Sequence, residues 1–245
     1  MMFGSRPVNG IYATPGYSDD LAEYDWMHSG DLGVNISTLG NIIRELVYEL
    51  GGVFDRAEEA LGNFLTMMHM PSKALGQGKP PLNDLTQGMV KSARSKPPMM
   101  RVKAAEARHL VPVLRHMMMH YVPQESPHEL LLLHCLDALH SCYGEMESWN
   151  EHSAEALGKH GRHSVSLYKE LNVRALADDP TGRNWRLYPK VHAFFHICES
   201  GCNARTTWNY WDESDIGDAA ILGATCHPID LSAGVIQRYR LHDRA

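Results

Sequence analysis

The chain has 245 residues, 44% hydrophobic and 21% charged, enough apolar side chain for one large core or two small ones and too much for wholesale disorder. With a net charge of −6 it has no overall basic excess, so any nucleic acid must be held by local patches, and its 15 histidines can shift that balance in mildly acidic conditions. The longest apolar run, Leu130 to Leu133, falls far short of the ~18 residues a membrane-spanning helix needs.

The cysteines are Cys135, Cys142, Cys198, Cys202 and Cys226. Their odd number and irregular spacing suit no small disulfide scaffold, and Met1 to Gly16 has no apolar signal core, so a reducing, intracellular setting is expected.

In chain order, residues 1–24 read as a loop or short strand, rich in Gly, Pro, Ser and Asn. Apolar residues at Ile36, Leu39, Ile42, Ile43, Leu46, Val47 and Leu50 have a helical period, and Gly51-Gly52 ends that helix. A second helix is predicted from Val53 to His69, stopping before Pro71. Residues 71–100 are broken by Pro and Gly, with a short helix expected near Leu82 to Ser92. Arg101 to Tyr121 reads as a helix with Val102, Ala105, Leu110, Val113, Leu114, Met117 and Met118 on one side; Pro112 is expected to kink it.

Ser126-Pro127, with Glu129 nearby, opens a helix running to about Trp149, on which Cys135 and Cys142 are expected as buried thiols. Another helix covers roughly Asn150 to Asn172, Tyr188-Pro189 opens the helix carrying His192 and His196, and further helices are predicted over Asp212 to Thr225 and Ser232 to Leu241. The class is mainly α, with few strands. The expected organisation is an N-terminal segment 1–24 followed by one mostly helical domain, 25–245.

Three segments could carry chemistry. In the first, Asp25 lies between a short extended stretch and a helix start. It can ligate a metal; the simpler reading is that Asp25 or Ser29 caps the helix. In the second, His192 and His196 share one helix face, a spacing that can bind Zn²⁺ if Cys198, Glu199, Cys202 or His227 adds a third ligand; the alternative is hydrogen bonding between helices. In the third, Asp212, Glu213 and Asp215 follow Trp208 and Trp211. They can hold Mg²⁺ or form an acidic first helical turn. Lys103, Arg108 and Arg115 form a basic stripe, read as a solvated face.

The order of these segments resembles a known family. Asp25-Trp26-Met27-His28 with Leu32-Gly33-Val34 resembles the D-x-M-H … L-G-V segment of CACTA-type (En/Spm-like) and Kyakuja-Dileera-Zisupton-like transposases, which supplies their second catalytic Asp. Lys103 to Leu110 with Pro112 is similar to their K-x-x-D/E … L-L-P helix. Pro189 to His196 looks like their H-L-x-x-H helix, Asn203-Ala204-Arg205 sits near their G-P turn, and Trp208 to Glu213 resembles the W-x-Y-x-x-E string carrying the third acid.

The resemblance implies the C-terminal part of an RNase H-like catalytic domain, with a helical insertion over roughly residues 50–190. It implies Asp25 and Glu213 as catalytic carboxylates, with Asp212 beside them, Mg²⁺ as cofactor and DNA as partner. A nuclear location would follow. Zn²⁺ at His192 and His196 is the second metal candidate. The family's first Asp lies well upstream of the second, whereas Asp19 and Asp20 sit too close to Asp25. The expectation is therefore a catalytically incomplete fragment, a degenerate element copy or a domesticated protein. The alternatives are a non-enzymatic helical scaffold or interaction protein and a helical zinc-binding protein.

Overall fold

The computed structural model describes residues 25–49, 66, 82, 85–90, 97–122 and 126–207, all within the compact unit that ends at Thr207. These residues form helices and no strand, so the described part is mainly α. The predicted helices over 212–225 and 232–241, nearly all of 53–69, and segment 1–24 lie outside them.

The first helical run begins earlier than the apolar period indicates. A π-helical segment, Met27–Asn35, leads into α1 (Ile36–Arg44) and then into a second π turn, Glu45–Glu49. Ser29, Gly30 and Gly33 are poor helix formers, and the backbone leaves helical geometry at Leu32 (φ −90°, ψ 15°). Tertiary partners stabilise the irregularity. Lys190 Nζ donates to the Leu32 carbonyl at 2.8 Å, and the Tyr188 hydroxyl donates to the Gly33 carbonyl at 2.7 Å.

Helix α1 is enclosed. Leu39, Ile42 and Ile43 are fully buried, and so are Ser37, Thr38 and Asn41. Gly40 lets the chain at Met99 and Met100 cross it closely: a Cβ there would lie 2.8 Å from the Met99 Cα, and the Met100 amide donates to the Ile36 carbonyl at 2.8 Å. After the short α2 (Gln87–Val90), α3 (Ala104–Tyr121) buries Ala107, Leu110, Val111, Leu114, Met117 and Met118 and continues through Pro112. Its first turn is closed by the Lys103 amide, which donates to Glu106 Oε2 at 2.7 Å.

Helix α4 (Pro127–Glu147) starts on a complete capping box: the Glu129 amide donates to Ser126 Oγ at 3.3 Å, and the Ser126 amide donates to Glu129 Oε2 at 2.9 Å. Leu132, Cys135, Leu136, Leu139, Cys142 and Met146 form its buried stripe. Full burial of each leucine stabilises by about 1.5–3 kcal/mol. Helix α5 (Ser153–Asp178) has 26 residues and outruns the predicted end at Asn172. It packs against α4 on one side and α6 (Pro189–Glu199) on the other. Gly161 permits the α6 contact, since a Cβ at that position would lie 2.6 Å from Cys198 Sγ.

The result is a bundle in which α3, α4 and α6 surround the run from Trp26 to Arg44, while α5 reaches it through Tyr168, whose hydroxyl lies 2.6 Å from Ser37 Oγ. The described chain ends in a 3₁₀ turn, Ala204–Thr207. No described helix is long and apolar enough to cross a membrane.

Candidate functional site

Asp25 sits at the mouth of the first helical run, and its carboxylate is engaged there. Oδ1 accepts the Met27 amide at 3.2 Å, while Oδ2 accepts the His28 amide at 2.8 Å and faces His28 Nδ1 at 2.5 Å. These bonds satisfy donors that the first helical turn leaves unpaired, so the capping role is physically in place. A metal at Asp25 would compete with those donors. The next residue, Trp26, is fully buried against Tyr143 and Phe194, with ring centroids 5.6 Å and 5.2 Å away. Asp25 is thereby tied to α4 and α6 through its neighbour.

On α6, His192 and His196 project together into solvent with their Nε2 atoms 2.9 Å apart. The sequence offered Cys198 and Glu199 as third ligands, and both are otherwise occupied: Cys198 is buried against Gly161 and Cys142, and Glu199 pairs with Arg162. The hydrogen bond with the Cys142 thiol, then burial, pushes the Cys198 thiol well above its ordinary range, so it is a poor thiolate ligand. Cys202 is exposed. Asp212, Glu213 and His227 lie outside the described residues. Among the described residues no three His, Cys, Asp or Glu side chains gather into a metal site.

The chain matches no family model, and no curated protein or solved structure matches it.

Three features escaped the sequence reading. The first is Asp31, fully buried, whose Oδ1 accepts the Tyr143 hydroxyl and the Asn35 amide, the latter at 3.2 Å. Burial, then the Asp31 charge, holds the Tyr143 hydroxyl protonated well above its usual range.

The second is a cavity of about 320 Å³ beside Glu45, bordered by Arg44, His128, Arg174, Asp178 and Trp185. Glu45 Oε1 accepts the Trp185 indole N–H at 2.6 Å, and Oε2 lies 2.7 Å from His128 Nε2. Trp185 has a left-handed backbone (φ 52°), a conformation costing about 1–3 kcal/mol for a non-glycine residue. It is held there by its amide, which donates to Asn41 Oδ1 at 2.9 Å, and by edge contact with Tyr168 at 5.3 Å.

The third is a cavity of equal volume, about 320 Å³, between α3, α4 and the 3₁₀ turn. Arg108, His109, His140 and Arg205 line it, with Glu147 as the acid and Tyr143 at its wall. Arg108 belonged to the predicted solvated stripe. Of that stripe Lys103 is exposed, Arg115 pairs with Asp137, and Arg108 borders this cavity. No spacing rule identifies such a set, because its members come from three elements.

Proposed function

We propose that the chain is the C-terminal part of a transposase-derived, RNase H-like catalytic domain that is catalytically incomplete and retains divalent-metal and DNA binding. The supporting observation is the meeting of strings that lie far apart in sequence. The segment after Asp25 and the one opening at Pro189 are joined by the Lys190–Leu32 and Tyr188–Gly33 hydrogen bonds and by Trp26 against Phe194. Helix α3, carrying the Lys103 to Pro112 string, packs on the same segment, Met27–Asn35.

In this reading Asp25 and Glu213, with Asp212, hold the ion. Asp25 alone does not make a site, and among the described residues no three potential ligands gather around an ion. When bound, Mg²⁺ would activate a water and stabilise a leaving oxygen. The chain's own contribution is a carboxylate anchored by two backbone amides at a helix start.

The test titrates the full chain with Mn²⁺, followed by paramagnetic broadening. Asp25→Asn, which preserves the cap, and Glu213→Gln should each weaken one common site about tenfold or more. With Mg²⁺ and duplex DNA no strand transfer is expected. Mn²⁺ binding indifferent to both substitutions would sink the shared-ion reading. Efficient Mg²⁺-dependent cleavage, lost in Glu213→Gln, would sink the incompleteness.

The engaged cap at Asp25 favours a second reading, a non-enzymatic helical scaffold. The facing Nε2 atoms of His192 and His196 favour a third, Zn²⁺ binding on α6. One Zn²⁺ per chain, lost in His192→Ala, would select it.

A further inference from the structure

Helix α3 carries His116-Met117-Met118-Met119-His120 in its last turns. Met117 and Met118 are buried, whereas Met119 is 45% exposed, His120 is exposed and His116 is half-buried. His116 and His120 lie one helical turn apart, and Met119 neighbours His116 at the i, i+3 position. The two imidazole centroids are 4.3 Å apart, and among the described residues neither ring has a hydrogen bond or an ion pair.

Two imidazoles that bind one ion side by side, each nitrogen about 2.0–2.1 Å from the metal, bring their ring centres to about 4.5 Å. The rings on α3 therefore already stand at the separation of a chelate. Burial first, then His120 and Arg115, holds His116 below its ordinary range, so at neutral pH its ring is uncharged and keeps a lone pair for a metal.

The same spacing recurs on α6, where the centroids of His192 and His196 are also 4.3 Å apart. There the residue before the second histidine is Phe195, which offers no donor; on α3 it is Met119, which offers a thioether. The three rotatable bonds of methionine let its sulfur swing toward the ring pair. Thioether sulfur is a soft donor that selects Cu⁺ over Zn²⁺ and Mg²⁺, and imidazole is a good copper ligand.

We propose that His116, Met119 and His120 form a copper site on the surface of α3, with Cu⁺ as its preferred ion.

Cu⁺ has a filled d shell and accepts three donors in a trigonal arrangement, so this set is sufficient for it. All three ligands lie on one helix, so closing the chelate needs rotamer changes and no backbone movement. The site shares no residue with Asp25 and Glu213, and failure of either reading leaves the other untouched.

The experiment titrates the full chain with Cu⁺ under ascorbate, in a Cys202→Ser, Cys226→Ser background that removes two competing thiols. It follows the Met119 methyl and the imidazole C–H resonances of His116 and His120, with a chromophoric Cu⁺ chelator as competitor to give the affinity. All three side chains should respond together. Met119→Leu should weaken Cu⁺ binding about tenfold or more and leave Cu²⁺ binding little changed. His116→Gln and His120→Gln should each weaken binding of both ions by about tenfold or more. His192→Gln, on the other pair, should leave the α3 response unchanged, and unchanged thermal transitions confirm that the variants fold. Zn²⁺ should bind more weakly than Cu⁺. Cu⁺ binding indifferent to His116→Gln and His120→Gln overturns the proposal. Binding that needs both histidines but ignores Met119→Leu and prefers Zn²⁺ overturns the assignment to copper.

Discussion

The two cavities have about the same volume, 320 Å³, but their histidines are shifted in opposite directions. Around the first, cations are answered within the fold: His128 lies on Glu45, Arg44 donates to Asn184, Arg174 pairs with Glu170, and Arg183 pairs with Asp179. The second is lined by Arg108, Arg205, His109, His140 and Glu147. The histidines report the difference. His128 is raised, chiefly by its hydrogen bond to Glu45, whereas His109 and His140 are lowered, chiefly by burial. A cavity whose cations are satisfied stabilises its own walls. One whose imidazoles are held neutral by burial loses stability when they take up a proton.

The comparison breaks most severely at Tyr143, which walls the second cavity while its hydroxyl donates to the buried Asp31. Tyr143→Phe removes that donor and leaves the carboxylate short of a partner in a site with no solvent access. The expected loss is about 3 kcal/mol, measured by urea unfolding. Asp31→Asn in the same background should recover part of it. A loss below about 1 kcal/mol would mean that the Asp31 contact contributes little. At the first cavity Glu45→Gln should cost less, about 2 kcal/mol, because the amide oxygen can still accept one of the two bonds from Trp185 and His128. It should also return His128 toward its ordinary range, visible in an imidazole NMR titration.

These sites also mark where the sequence stopped being legible. The capping box at Ser126 and Glu129, the helix opening at Pro189 and the buried thiols Cys135 and Cys142 follow from local chemistry and helical period, and the structure carries them. The run Met27–Asn35 does not follow from either. Its glycines and serine argue against a helix, and the partners that stabilise it, Tyr188 and Lys190, lie more than 150 positions away. Asp31 was hidden for the same reason, since burial of an acid depends on a tyrosine 112 positions downstream. Asp25, His192 and His196 stood out because a motif and an i, i+4 spacing are local signals. Helix α5 runs past Asn172 because no glycine or proline interrupts Val173 to Asp178.

The smallest effect is the most diagnostic, because it differs in sign between the cavities. His128 is raised in the fold, so its pairing with Glu45 stabilises fully below the unfolded value of about 6.5 and is lost as pH rises through the folded value. His140 is lowered, so the unfolded chain takes up a proton before the fold does, and stability falls as pH drops from about 6.5 toward the folded value. In phosphate-free buffer His128→Gln should therefore be destabilised relative to the parent at mildly acid pH and approach it at alkaline pH. His140→Gln should gain on the parent at mildly acid pH. Each difference should stay under about 1 kcal/mol, because both rings are part-exposed and screened. Melting temperatures across the range would show two difference curves of opposite slope. Parallel curves would mean that burial does not outweigh the neighbouring carboxylates at His140, and that the two rings do not differ in this way.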